Sequence, residues 1–336
     1  MLERLFMLSW YGKLQWTWIF WPVMKLFQYV VNQKRRQFLA AKSLASKPLP
    51  SKLPVIVIGN ITVGGTGKTP VVMALVSYLQ AKGYRPGIIS RGYGGTLTQY
   101  PHLIKSTDDC SVVGDEPYML SRALQVPVVV DPKRRCALDY ISTLNVDIIL
   151  SDDGLQHYEL PRDMELCVLD GLRGLGNGQL IPVGPLREPA TRLNSVDMTL
   201  YSGLKSTRNE SDECFEFVPV AWVNVKSNEI KCLEEFEITK DVSAIAGIGN
   251  PQKFIKTLKS LKIECQLKVF SDHYSYTKED VNLMASQTLM TEKDAVKIKP
   301  FAHDNMWYLR IEAGLSSSFF QRFDKKLQAI MEQKNG

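Results

Sequence analysis

The chain has 336 residues, of which 45% are hydrophobic and 23% charged. That is enough for one large or two ordinary globular domains with substantial cores, and it excludes disorder throughout. Lys and Arg number 41 against 35 Asp and Glu, a net charge of +6 that suits nucleotide, nucleic acid or acidic lipid without choosing among them.

Residues 1–36 hold Trp10, Trp16, Trp18 and Trp21, four of the six tryptophans. The segment lacks the small-residue cleavage site of a signal peptide. Lys13 and Lys25 bound an uncharged run of about 11 residues, short of the roughly 20 needed to span a bilayer. Indole groups favour the headgroup layer, and Lys34, Arg35 and Arg36 can meet anionic headgroups. One amphipathic helix lying in the membrane interface is therefore expected; the competing reading packs it on the protein's own core. KSLASKPLPSKLP, residues 42–54, is the clearest linker. The six cysteines are scattered without a C-x-x-C pair, which indicates neither a zinc site nor a disulfide framework and implies a reducing compartment.

LPVIVIGN, residues 53–60, is an apolar β-branched run of the kind that forms a buried parallel strand. PVVMALVSYLQAKGY after the loop has apolar residues at helical spacing and a glycine near its end. The intervening loop contains Thr62, Val63, Gly64, Gly65, Thr66, Gly67, Lys68 and Thr69, all assigned to nucleotide binding. Thr62 stands where the usual phosphate-loop pattern has its first glycine. The remaining parts are intact: glycines that let amides face phosphate oxygens, Lys68 for charge, and the Thr69 hydroxyl for magnesium. The G-G-T-G-K-T core is similar to the loop of partitioning and septum-site ATPases, which carry a lysine where this chain has Val63.

VVGDEPYMLSRAL, residues 112–124, places Asp115 and Glu116 before Pro117 at a helix start. A carboxylate here could take a proton from an acceptor hydroxyl, although an acidic first turn has a purely structural use as well. NVDIILSDDGLQH, residues 145–157, ends a second apolar strand in Asp152 and Asp153, where a magnesium partner belongs in a parallel sheet. Strands are expected at about 54–59, 86–90, 126–130, 146–151, 165–170 and 196–201, separated by helices. These define an α/β fold with a phosphate loop and a doubly wound, mostly parallel sheet. A charged, irregular stretch at 203–213 precedes short strand-like runs at 214–225. A further strand and helix alternation, with a helix near 277–287, forms a second, smaller α/β domain. The expected units are a helix over 1–36, a phosphate-loop domain over 37–213, a two-strand hinge over 214–235 and a C-terminal domain over 236–336. G-x-G-N-P after Ile245 lacks the third glycine of a dinucleotide fingerprint and is assigned to a strand-to-helix turn.

Eight segments in order, NITVGGTGKTP, SRGYGG, GDEP, DDGLQH, GNGQLIPVGPLREP, AIAGIGNPQKF, FSDHYSY and TEKDAVK, resemble the tetraacyldisaccharide 4'-kinase family of lipid A synthesis. The resemblance runs from about residue 55 to 300. It implies transfer of the ATP γ-phosphate, with Mg2+, to the 4'-hydroxyl of an acylated glucosamine disaccharide 1-phosphate, giving lipid IVA. It also implies a monotopic enzyme on the cytoplasmic face of a Gram-negative inner membrane, with no nucleic-acid partner and no obligate protein partner.

Carried onto this sequence, the resemblance makes Asp115 the acceptor of the sugar-hydroxyl proton and His273 its supporting histidine, with Lys68 also in the catalytic set. The second histidine often found in the family is Tyr274 here. Glu116, Asp152 and Asp153 share the magnesium environment with Thr69, and His157 is a candidate to fix that turn. Arg91 and Arg187 are candidates to bind phosphate, with an ion pair to Glu188 as the alternative use of Arg187. The rival function is a membrane-associated ATPase switch; a lipid-binding protein with a structural nucleotide is a third class.

Overall fold

The structure, a computed structural model, describes residues 2–12, 16–43, 51–203, 212–282, 284 and 287–335. The strands of the first part are β1 (Val55–Gly59), β2 (Pro86–Ser90), β3 (His102–Leu103), β4 (Val128–Val130), β5 (Ile148–Asp152), β6 (Met164–Asp170), β7 (Met198–Ser202) and β8 (Asp212–Asn224). The second part contributes β9 (Ile230–Cys232), β10 (Val242–Ala246), β11 (Gln266–Val269), β12 (Gln287–Thr291) and β13 (Met306–Gly314). They form one continuous sheet in the order β11-β10-β12-β13-β8-β7-β6-β1-β5-β2-β4-β3, with β9 beside β8. Pairing is parallel except at β3 with β4, and where β8 meets β13 and β9.

The alternation of β1 explains its central place. Ile56 and Ile58 point into one core, with Val72, Leu75 and Leu79 of the helix Lys68–Ala81. Val55 and Val57 point into the opposite core, with Ala137, Leu138 and Ile141 of the helix Arg134–Ile141. Burial on both faces requires the unbroken β-branched run seen in the sequence. Strands β5, β2 and β4 lie to one side of β1 and β6, β7 and β8 to the other. The strand order switches from one side to the other here while the strands stay parallel, and in such sheets the ligand crevice opens at the carboxyl ends of the strands at this point.

Four expectations are corrected. The runs at 214–225 belong to one 13-residue strand, β8. Its start pairs in parallel with β7 and the rest runs antiparallel to β13, so it spans both halves of the sheet. Among the described residues the helix near 277–287 covers Lys278–Asn282, and Gln287–Thr291 is the interior strand β12. Burial of Thr288, Leu289 and Met290 between β10 and β13 overrides their local pattern, and the Gln287 amide is held by Thr239 N and Glu237 O.

The N-terminal segment is likewise not one helix over 1–36. It is a helix Leu2–Tyr11, a 3-10 turn Trp16–Phe20 and a helix Trp21–Ser43. Ser9 and Thr17 hydrogen-bond at 2.6 Å, and the Phe6 and Trp16 rings lie 4.9 Å apart. Thr17 Oγ1 donates to Val183 O at 2.7 Å, while Met24 is buried with Leu180, Val183 and Leu186. Most of the linker, 44–50, and most of the irregular stretch, 204–211, lie outside the described residues.

The helix Ser317–Asn335 falls within the expected C-terminal unit 236–336. It packs on the first core instead, through Phe319, Phe323 and Leu327, with the Tyr78 and Phe320 rings stacked at 4.0 Å.

Candidate active site

β1 leads directly into the glycine-rich loop. Gly67 caps the helix Lys68–Ala81 in the left-handed region at φ 98°, and a Cβ there would stand 2.6 Å from the Phe217 ring. Only glycine satisfies both the dihedral and the close approach. The segment 176–189 braces the loop's first half: Val63 N donates to Pro185 O at 2.8 Å, Arg187 N to Ile61 O at 2.7 Å, and Thr62 bridges Leu186. The Val63 amide is thus engaged by the protein itself. Thr66 is buried beside the Asn60 amide. Gly64, Gly65, Gly67, Lys68 and Thr69 line a cavity of about 1190 Å³ at the start of that helix, where backbone N–H groups and the helix dipole favour an anion.

Asp152 and Asp153 end β5, next to β1. Asp152 is 2% exposed, and its Oδ1 has no partner among the described residues. Burial, together with the neighbouring Glu116 and Asp153, pushes its carboxyl up to about 7 against the pull of Lys68 and Arg134. Asp153 has a positive φ of 48°, a region Asp tolerates better than most residues. Burial would raise it, but Lys68 at 3.5 Å and Arg187 at 3.0 Å outweigh burial and hold it at about 2.

Arg187 therefore does not pair with Glu188. Glu188 accepts from Gln156 Nε2 at 2.7 Å and lies 3.4 Å from Arg192. Arg91 is exposed and lines the cavity without a hydrogen bond to the acidic pair. Arg134 is buried and donates to Asp152 O at 3.1 Å. His157 lies close enough to Arg134 and Arg91 that burial and those charges lower it to about 4.

SRGYGG and GDEP fold as one unit. A Cβ on Gly114, at φ 97°, would come within 2.8 Å of Tyr93 O and 3.0 Å of Gly92 C. This contact fixes where the helix Asp115–Leu124 starts, and so where Asp115 points. His273 Nδ1 lies 3.1 Å from Asp115 Oδ2, and the Tyr93 ring meets the imidazole edge-on at 5.0 Å. His273 itself has a positive φ of 57°; such strain on a non-glycine residue marks functional positions. Glu116, expected near magnesium, forms an ion pair with Lys293 at 3.2 Å. Tyr274 turns away, packing on Phe270 and Tyr276 and donating to Asp280.

The G-x-G-N-P turn has a larger part than its sequence suggested. A Cβ on Gly249 would lie 3.2 Å from Gly65 N, so this turn faces the glycine loop. Asn250 and Lys253 both bind Asp170 at the end of β6, at 3.3 and 2.9 Å. Asn250, Lys253, Asp170, Arg134 and Lys293 were all missed in the sequence. For Asp170 the available signal was an acid ending an apolar strand, the same signal that located Asp152. For Lys293 it was T-E-K-D, a capping box that places the lysine in the first turn after a strand; Thr291 accepts from Asp294 N.

The same cavity is lined by Phe6, Trp10, Phe27, Val31 and Pro182. Trp10 Nε1 donates to Pro182 O at 3.0 Å, fastening the N-terminal helices to this edge.

A mostly parallel α/β sheet with a glycine loop, a lysine and a buried carboxylate at its carboxyl edge, and a His–Asp pair in the same cavity, defines a kinase-type phosphotransferase. The model of the family described as tetraacyldisaccharide-1-P 4'-kinase, LpxK, matches residues 16–328, and the chain belongs to that family. It is 43% identical over 329 residues to the tetraacyldisaccharide 4'-kinase of Hahella chejuensis, covering 97% of each chain. It is also 43% identical over 315 residues to that of Pseudomonas fluorescens, covering 93% of each. The crystal structure of LpxK from Aquifex aeolicus in complex with ATP superposes with a TM-score of 0.74 at 27% identity, over 94% of this chain and 99% of that one.

Proposed function

We propose that the protein transfers the γ-phosphate of ATP to the 4'-hydroxyl of a tetraacylated glucosamine disaccharide 1-phosphate, with Asp115 accepting the hydroxyl proton. The observation that carries this reading is a single cavity. It joins phosphate-binding parts (Gly67, Lys68, Thr69), a His–Asp pair and an apolar edge from the N-terminal helices. ATP explains only the first of these; a hydroxyl on an acylated acceptor explains the other two. A partner-regulated ATPase switch has no use for an Asp115–His273 pair.

Lys68 lies at the helix start, where it can neutralise charge building on the transferred phosphoryl group. Arg187, held by Asp153, and Arg91, free of hydrogen bonds to the acidic pair, are two of the cavity's cations that can meet substrate phosphates. Asp115 accepts from His273 on Oδ2, which leaves Oδ1 for the acceptor hydroxyl. The contribution of this base comes from being placed beside the acceptor oxygen.

Magnesium fits the residues present. The partnerless Asp152 Oδ1, buried beside the Glu116 and Asp153 carboxylates, offers an oxygen ligand to a cation. Thr69 and Asp152 would hold it, with Asp153 and Glu116 beside them. No group of three or more His, Cys, Asp or Glu among the described residues is arranged to hold a metal alone, which suits an ion that takes one or two carboxylates plus substrate phosphates. When bound, it would offset charge on the phosphate oxygens.

The N-terminal helices would rest on the cytoplasmic face of the inner membrane. Ile19 and Leu26 are 72% and 66% exposed beside Trp18 and Trp21. No helix of the described residues is long and apolar enough to cross a membrane. Asp115 belongs to the first part of the sheet and His273 to the second, joined by β8 and β13, and their side chains already lie 3.1 Å apart; nucleotide binding is expected to tighten the two parts further about the segment 214–235. Equal distances between spin labels on the two parts with and without ATP would count against closure.

The function is tested by supplying ATP and the disaccharide 1-phosphate in mixed micelles and locating the new phosphate by NMR. Phosphate on the 4'-oxygen supports the reading; ATP hydrolysis without acceptor phosphorylation refutes it.

A further inference from the structure

We propose that Lys293 is a positioning residue that fixes the tautomer of His273 and thereby the hydrogen bond that orients Asp115. Lys293 Nζ lies 3.2 Å from His273 Nε2, 3.2 Å from Glu116 Oε1 and 3.1 Å from Asp272 Oδ1. An ammonium has three protons and no lone pair, so each contact takes one donor and none can run in reverse. Glu116 and Asp272 flank the ammonium with two carboxylates.

The consequence falls on the imidazole. Nε2 must accept, so the proton of the neutral ring resides on Nδ1, the nitrogen that faces Asp115 Oδ2 at 3.1 Å. With the opposite tautomer, Nδ1 would present a lone pair to a carboxylate, and the contact would become repulsive. The fold supports the arrangement from both sides. Lys293 lies in the first turn after β12, in a helix capped by Thr291, so its backbone is fixed. His273 is held at positive φ with the Tyr93 ring against its edge. Lys293 reaches Glu116 of the first part of the sheet from the second, so the same ammonium ties the two parts together at the His–Asp pair.

This inference rests on the reading of Asp115 as the base, and the test separates the two. The chain has four histidines, His102, His157, His273 and His303. Full-length protein labelled with 15N-histidine, in detergent micelles, therefore gives four imidazole patterns, and His273→Gln identifies the one of interest. The unaltered protein is expected to show His273 as the Nδ1–H tautomer. Lys293→Met is expected to shift it to Nε2–H and to lower kcat by roughly 10- to 100-fold, the usual cost of losing a residue that orients a reacting group, with KM for ATP within about twofold. Lys293→Arg, which retains charge and donors, should recover Nδ1–H and part of kcat.

An Nε2–H tautomer in the unaltered protein overturns the proposal, and this reading needs no variant to fold. Retention of Nδ1–H in a folded Lys293→Met protein overturns it whatever happens to kcat. If the tautomer behaves as expected while Asp115→Ala retains full transfer, Lys293 positions the histidine and the base assignment is what fails.

Discussion

Replacing Gly114 with alanine probes the joint between SRGYGG and GDEP. Gly114 has φ 97° and ψ 144°, a combination essentially restricted to glycine that costs another residue about 1–3 kcal/mol. The added Cβ would also meet backbone atoms at 2.8 and 3.0 Å, Tyr93 O and Gly92 C. Backbone cannot rotate aside, so relief requires movement of the loop or of the helix start, at a further cost of about 1–3 kcal/mol. The expected total is roughly 3 kcal/mol, a fall of several degrees in Tm.

Because the helix start carries Asp115, a shift of about 1 Å there should also lower kcat by roughly 10²-fold. Gly83→Ala is the internal control. Its φ is 86°, but nothing lies within 4 Å of the added carbon. It should cost about 1 kcal/mol and leave transfer unchanged. Thermal unfolding and labelled-phosphate transfer on both variants decide the matter. Equal Tm values for the two, with transfer by Gly114→Ala within twofold of the unaltered protein, would refute the argument.

His157 is buried enough to be held neutral, lowered to about 4 from an ordinary value near 6.5. Between those values the unfolded chain binds the extra proton and the folded one does not, so stability is lost as pH falls from about 6.5 to 4. His157→Gln should flatten that loss by about 2 kcal/mol, discounted for partial exposure, in urea unfolding at pH 7 and pH 4.5; an identical pH dependence would contradict it. Ile19→Asp with Leu26→Asp should weaken co-sedimentation with anionic vesicles at least tenfold, since each exposed apolar side chain contributes about 1.5–3 kcal/mol on insertion. Unchanged vesicle binding would place the membrane contact elsewhere.

The first half of the sheet could be read from sequence because its strands are covered on both faces. VIVIG and IILSD admit few other structures, and their observed bounds differ from the expected ones by a residue or two. The strand β12 was hidden. QTLMT owes its state to β10 and β13, far along the chain, and follows residues with a helical pattern. The N-terminal helix was overextended, because aromatic spacing does not reveal a reversal fixed by Thr17 and Val183, more than 160 residues apart.

The site shows the same division. The loop and the acids at strand ends follow from local sequence. The partners do not: Arg187 reaches Asp153 across 34 positions, and Lys293 reaches Glu116 across 177. Adjacent residues such as Arg187 and Glu188 point to different partners because the segment 176–189 runs between the glycine loop and the Arg192 network.

The most direct test of the account is phosphate transfer from γ-labelled ATP to the disaccharide 1-phosphate, comparing the unaltered protein with Asp115→Ala at saturating ATP. The account predicts steady transfer by the unaltered protein and a loss of at least 10²-fold in kcat for the variant, with ATP bound as tightly by both. Transfer by Asp115→Ala at the unaltered rate would contradict the assignment of the base. Acceptor-independent hydrolysis by the unaltered protein, with no labelled lipid, would contradict the kinase itself.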